Sequence, residues 1–187
     1  CYNFTHDTIF IKIITILILY ETKFKKNMQQ KSIEEAKKRL FNGELVIFPT
    51  ETVYGIGGNA NNKNAVQLIY EIKKRPLNNP LICHFAKVEE IEKNFLLKEK
   101  DYELANAFWP GPLTLILEKN KNSKITSLVS NNQNLVGCRI PNNEITLSLL
   151  SKLDFPVAAP SANIATKTSV TSINDLDDKL KKIFHVD

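Results

Sequence analysis

The sequence predicts an α/β protein built on a mixed sheet. Short apolar runs of strand length alternate with segments whose apolar residues recur at helical spacing. Gly and Pro punctuate these segments where helices and strands should stop. No internal repeat or low-complexity linker divides the 187 residues, and 43% hydrophobic with 24% charged residues suits one ordinary globular domain.

The first 27 residues stand apart. The chain's single methionine, Met28, directly precedes a helix start. The expectation is that translation begins there, leaving 1–27 as a non-native or disordered leader and 28–187 as the domain. "IFIKIITILILY" (9–20) carries Lys12 inside it and falls short of the ~20 residues of a membrane span. It also lacks a small-residue cleavage site. No stable membrane association is expected, with a peripheral anchor as the alternative.

"SIEEAKKRLFNG" opens with a capping-box pair, Ser32 and Glu35, and closes on Gly43, which predicts a helix starting at Ser32. "ELVIF" (44–48) reads as a buried strand, and "PTETVYGIGG" (49–58) as a polar, glycine-rich loop after it. Val66, Ile69, Tyr70 and Ile72 share a helical face within 61–75, and Pro76 ends it. "LICHFA" (81–86) predicts a strand, "VEEIEKNF" and "DYELANAF" predict helices, and "WPGP" (109–112) predicts a turn. "LTLILEK" (113–119) and "NLVGCRI" (134–140) read as strands and "ITLSLLSKL" (145–153) as a helix. "FPVAAP" (155–160) reads as a strand, "SINDLDDKLKKI" (172–183) as a helix, and "IFHVD" as the entry to a strand where the sequence stops.

Composition excludes several classes. Part of the +5 formal charge lies in the first 27 residues, as four lysines against Asp7 and Glu21. The remainder is too small an excess for a polyanion-wrapping protein. Three cysteines, Cys1, Cys83 and Cys138, form no CxxC, so neither a disulfide framework nor a zinc site is suggested. A reducing cytoplasm fits that usage.

Four polar loops follow element ends, where ligands collect in open α/β sheets. Lys73 and Arg75 sit where Pro76 breaks a helix. They can turn toward one anion, or simply complement the helix dipole. His84 in a strand is either a packed residue or a functional one, and no second histidine stands at metal spacing. Arg139 ends an apolar strand and must be paired structurally or reach a cleft. "PSAN" (160–163) is turn chemistry or a hydroxyl and amide pair for a ligand, and Ser161 has no acid–His partner in sight.

"PTETVYGIGGNA", "KKRPLNNPL", "FWPGPLTLIL", "CRIP" and "PSAN", in that order, resemble the YrdC/Sua5 family of threonylcarbamoyl-AMP synthases. The resemblance runs from about Ile47 to Ser172. It implies a twisted, open sheet with a positively lined concave surface. It also implies synthesis of threonylcarbamoyl-AMP and pyrophosphate from L-threonine, bicarbonate or CO2, and ATP. Downstream tRNA threonylcarbamoyl-transfer proteins would then modify adenosine 37 of tRNAs. By resemblance, Lys73, Arg75, Ser161 and Asn163 form the catalytic, ATP-facing group, with Asn79, Thr114 and Ser169 as further ATP contacts. Thr50, His84 and Arg139 hold the threonine, Arg139 through its carboxylate. ATP is a substrate, Mg2+ would be carried on its phosphates, and no metal site in the protein is expected.

Three departures stand out. Ala165 and Thr166 replace a Ser-Gly pair, and Asn79 stands where a lysine is common. The family's domain also continues past the equivalent of Asp187, so an inactive fragment is one alternative. Another is a module that binds tRNA or double-stranded RNA weakly, without chemistry. A third, the carbamoyl-transfer proteins of hydrogenase maturation, carries zinc-finger segments with paired CxxC motifs that this sequence lacks.

Overall fold

The computed structural model describes residues 6–164 and 170–187. The element order is α1 (His6–Phe41), β1 (Val46–Phe48), β2 (Gly55–Asn59), α2 (Lys63–Lys73), β3 (Ile82–His84), α3 (Val88–Glu92) and β4 (Phe95–Leu96). Then follow α4 (Glu99–Phe108), β5 (Leu115–Lys119), β6 (Leu135–Arg139), α5 (Glu144–Leu150), β7 (Val157–Ala158) and β8 (Phe184–His185). The strands form one 8-stranded sheet in the order β4-β5-β6-β3-β7-β2-β1-β8. Pairs β3–β6 and β1–β8 are parallel and the other pairs antiparallel, so the sheet is mixed, as the sequence predicts.

Alternation along each strand divides the core in two. On β1, Ile47 joins a large cluster with Ile56, Val66, Ile69, Cys83, Cys138 and Ala158, which places α2 on that face. Val46 and Phe48 point the other way, against Ile33, Ala36 and Leu40 of α1 and Leu149 and Leu150 of α5. Helices therefore cover both faces, but α1 and α5 cover only one end of theirs. No helix among the described residues is long and apolar enough to cross a membrane.

Four expectations are corrected. Ser32 caps nothing: α1 runs through it, and its hydroxyl donates to Asp187 Oδ1 at 3.2 Å. Gln29, Gln30 and Lys31 just before it are good helix formers, so no local signal stops the helix there. The second half of the supposed glycine loop is strand β2. Glycine has low strand propensity, but here the side chains of neighbours fill the space a Cβ would need. A Cβ on Gly57 would lie 2.5 Å from Val157 Cγ1 and 2.7 Å from the Phe48 ring. The short edge strand β4 lies where "VEEIEKNF" predicts a helix to its end. The predicted helix 172–183 is a 3-10 turn, Ile173–Asp175, followed by turns. Ser172 and Asp177 bond the backbone amides of Asn174 and Lys179, and such local bonds compete with a helix. The predicted Gly43 stop does fall at a left-handed residue, with φ of 79°.

Gly57→Ala should lower stability by about 1–3 kcal/mol through overpacking. A urea denaturation midpoint equal to wild type would contradict that close approach.

Candidate active site

The sheet register brings the motif residues to one face. Ile82 pairs with Gly137 and His84 with Arg139 across β3 and β6, while His84 also pairs with Val157 of β7. Directly opposed residues share a face. Ile116 opposes Gly137, and Thr114 lies two residues before it, its Cγ2 3.2 Å from where a Gly137 Cβ would stand. Beyond β7, Ser161 bridges Gly55 at the start of β2. Thr114, His84, Arg139 and Ser161 thus look out from one surface, partly roofed by the 49–54 loop.

The Ser161–Asn163 loop is stitched to that loop by backbone bonds, Ala162 N to Tyr54 O at 2.6 Å and Ile56 N to Pro160 O at 3.0 Å. Lys73, the last residue of α2, is 1% exposed. Its ammonium donates to Ser161 O at 2.6 Å, to Asn163 O, and to Asn163 Oδ1 at 3.4 Å. Three acceptors match the three N–H bonds of an ammonium. Burial, with a smaller push from Arg75, pulls the Lys73 pKa down to about 8. Ser161 Oγ donates to Asn163 Oδ1 and locks the amide in place.

Arg75 lies just past the left-handed Lys74 that ends α2. Its Nε donates to Asn79 O at 3.0 Å, and its Nη2 donates to Asn79 Oδ1 at 2.7 Å and Pro80 O at 2.8 Å. Nη1 keeps no hydrogen-bond partner among the described residues. Asn79 therefore acts first as the arginine's anchor. Arg75, Asn79, Ile82, Gly137, Pro160 and Ser161 line a cavity of about 470 Å³, with Ile116 and Leu135 at its mouth.

The second half of the site lies beneath the 49–54 loop. Thr50 Oγ1 accepts from the amides of Thr52 and Val53 and donates to Val53 O at 2.6 Å. That hydroxyl holds the loop's own turn. Thr146 of α5 donates to Pro49 O and fastens the loop from above. Arg139 Nη2 donates to Glu51 Oε1 at 2.8 Å and to Thr52 Oγ1 at 3.3 Å. Of the two options left open for Arg139, structural pairing is realised, with a carboxylate the motif reading did not single out. The signal was the Glu in "PTET", one residue from a threonine that was singled out.

His84 is buried, edge-on to the Phe48 ring at 5.8 Å. Burial first and Arg139 second pull its pKa down to about 4, so the ring is neutral at pH 7. Backbone groups of Val157 and Ile82 offset part of that pull without giving Nδ1 a hydrogen bond. His84 Nδ1 and Arg139 Nε are both buried and unpartnered. Such atoms are rare in a folded interior.

Ser169 lies outside the described residues, as do Ala165 and Thr166. Among the described residues, no group of three or more His, Cys, Asp or Glu could hold a metal ion.

A family model named for Sua5, YciO and YrdC, and described as "Telomere recombination", matches residues 38–186. The threonylcarbamoyl-AMP synthase of Pyrococcus abyssi is 47% identical over 148 residues, covering 75% of this chain and 42% of that protein. The Bacillus subtilis threonylcarbamoyl-AMP synthase is 42% identical over 156 residues, covering 81% of this chain and 45% of that protein. A crystal structure of P. abyssi Sua5 complexed with L-threonine matches with a TM-score of 0.73 at 45% identity, covering 76% of this chain and 42% of that one. The chain thus spans less than half the length of these relatives.

Lys73→Met keeps the side chain's bulk but removes the ammonium from which the carbonyls of Ser161 and Asn163 accept. It should cost about 2–3 kcal/mol in chemical denaturation. A wild-type midpoint would mean that the ammonium does not hold the loop.

Proposed function

The chain belongs to the Sua5–YciO–YrdC family, and on that premise we propose that it is a threonylcarbamoyl-AMP synthase. It would join L-threonine, bicarbonate or CO2, and ATP into L-threonylcarbamoyladenylate, releasing pyrophosphate. One observation carries the reading above the rest. The Lys73–Arg75 corner and the Ser161–Asn163 corner meet at one cavity, on the sheet face that also holds Arg139 and His84.

The proposed division of labour follows the geometry. The triphosphate enters the Arg75 cavity, where Nη1 and the bound charge face the phosphates. Lys73 acts through the loop it holds and through its field, its ammonium being enclosed by carbonyls. Ser161 and Asn79 contribute a hydroxyl and an amide to the lining, Asn163 holds the Ser161 hydroxyl and the Lys73 ammonium behind it, and Thr114 lies beside Gly137 at the floor. Threonine binds beneath the 49–54 loop, with Thr50 shaping that loop and Arg139 and His84 below. Arg75 and Arg139, with the Lys73 ammonium behind the loop, would lend this face a positive field.

The neutral amine adds to CO2 and loses a proton to solvent to give a carbamate, a carbamate oxygen attacks the α-phosphorus, and pyrophosphate leaves. Neither step needs a protein nucleophile. Positioning and neutralisation of crowded anions account for the protein's part. The cavity lining holds a guanidinium, amides and a hydroxyl but no carboxylate, which suits Mg2+ arriving on the ATP phosphates. There the ion would neutralise charge on the leaving pyrophosphate. The product would pass to tRNA threonylcarbamoyl-transfer proteins. A cytoplasmic setting agrees with Cys83 and Cys138, both free and buried.

Pyrophosphate release by the purified protein should require L-threonine and bicarbonate together. Release at the same rate without threonine would contradict the proposal. Arg75→Ala should weaken ATP binding about tenfold or more, because it removes a charge-assisted contact. Isothermal titration would show this, and unchanged affinity would misplace the nucleotide. Because the folded Lys73 pKa is lowered to about 8, its charge is present below that pH and lost above it. ATP affinity should therefore fall as pH rises from 7 to 9, and a flat profile would exclude Lys73 from the phosphate field.

A further inference from the structure

The Arg139–Glu51 pair is an ion pair that leaves half of each partner unused. Arg139 spends only Nη2 on the contact, while its Nε is buried without a partner and Nη1 has none among the described residues. Glu51 spends only Oε1, and Oε2 has no hydrogen bond among the described residues. The Glu51 backbone is exposed, yet its side chain is turned inward and is 18% exposed, against 12% for Arg139. Placing both charges this deep costs desolvation that a single contact does not recover. His84 beside them is 5% exposed and also holds an unpartnered Nδ1. A largely covered cation and anion, two buried unpaired nitrogens (His84 Nδ1 and Arg139 Nε) and the open Arg139 Nη1 together describe an incomplete set of contacts.

What completes them carries both charges on one small carbon centre. An inorganic anion would satisfy Arg139 and be repelled by Glu51, while a simple amine would meet the reverse. A zwitterion satisfies both at once. We propose that Glu51 is a specificity-determining residue that holds the α-ammonium of the amino-acid substrate while Arg139 holds its α-carboxylate. The inference rests on the threonine-using function proposed above and adds a residue that reads the substrate's positive end. Its physical content is that the pair stays together when substrate binds. Arg139 offers its free Nε and Nη1 to the incoming carboxylate, and Glu51 offers Oε2 to the ammonium. The preformed pair thereby sets the direction in which the nitrogen points; the ammonium loses one proton to solvent, and the neutral amine then adds to CO2 at that place, losing a second proton as the carbamate forms.

The site discriminates against ligands that lack either charge. Isothermal titration in the absence of ATP tests this with three ligands: L-threonine, L-threonine amide and 3-hydroxybutyrate. Wild type should bind threonine at least about tenfold more tightly than either analogue, the size of one charge-assisted hydrogen bond. Glu51→Gln should weaken threonine about tenfold or more and leave 3-hydroxybutyrate unchanged or tighter, because that ligand has no ammonium to lose. Glu51→Asp, which keeps the charge, should recover part of the loss.

Threonine affinity within twofold of wild type in Glu51→Gln would overturn the proposal. So would tighter threonine binding, since Glu51 would then be only a competitor for Arg139. Equal weakening of threonine and 3-hydroxybutyrate would reduce Glu51 to a structural support for Arg139 and also overturn it. These ligand ratios remain readable if a variant is partly destabilised, and the wild-type comparison needs no variant at all. A wild-type protein that binds 3-hydroxybutyrate as tightly as threonine refutes the ammonium contact directly. A wild-type protein that binds no α-amino acid refutes the synthase reading itself, which separates the two failures.

Discussion

The site depends on one buried charge. The Lys73 ammonium ends α2 inside a ring of oxygens from Ser161 and Asn163. A buried ammonium is tolerable only when each of its N–H bonds finds an acceptor. Satisfying it fixes where the loop after β7 passes, and that loop is in turn laced to the start of β2. Helix end, strand end and loop are therefore held at one point, and the cavity beside Arg75 takes its shape from them. The low pKa of Lys73 and its hold on Ser161 and Asn163 have the same origin, removal of the charge from water.

Glycine plays the complementary part on the sheet face. Gly137 keeps the cavity floor low where Thr114 comes close, while Gly57 lets Val157 and the Phe48 ring pack against the sheet. Bulk at Gly137 would fill the cavity in which the nucleotide is proposed to lie. The face is kept open at the nucleotide end by missing side chains, and closed at the other end by α1 and α5.

Much of the fold could be read from the sequence because patterns were strong and local. β3, β5, β6 and α2 fall within the predicted runs, since β-branched alternation and the Pro76 stop speak plainly. β2 could not be read, because a strand of Gly-Ile-Gly-Gly-Asn is strand-like only through what packs on it. The 172–183 segment failed for the opposite reason. Leu176 and Leu180 are spaced as in a helix and are buried, but Asp and Ser side chains capture the backbone first. Around the proposed site the motifs picked out Arg75, Arg139 and Ser161, and only the fold shows that Arg75 and Ser161 line one cavity on the sheet face that carries Arg139. Glu51 was in plain view within a quoted motif, and its pairing crosses 88 residues of chain. No local pattern announces such a partner.

The position of β7 has a further consequence. This two-residue strand, late in the chain, is inserted between β2 and β3, which are formed from much earlier sequence. Until residue 158 has left the ribosome, the growing chain holds two half-sheets with open inner edges and no cleft between them. Such long-range pairing folds slowly, and exposed edges invite association with other chains. The cleft between these strands is thus closed by one of the last strands in the sequence order.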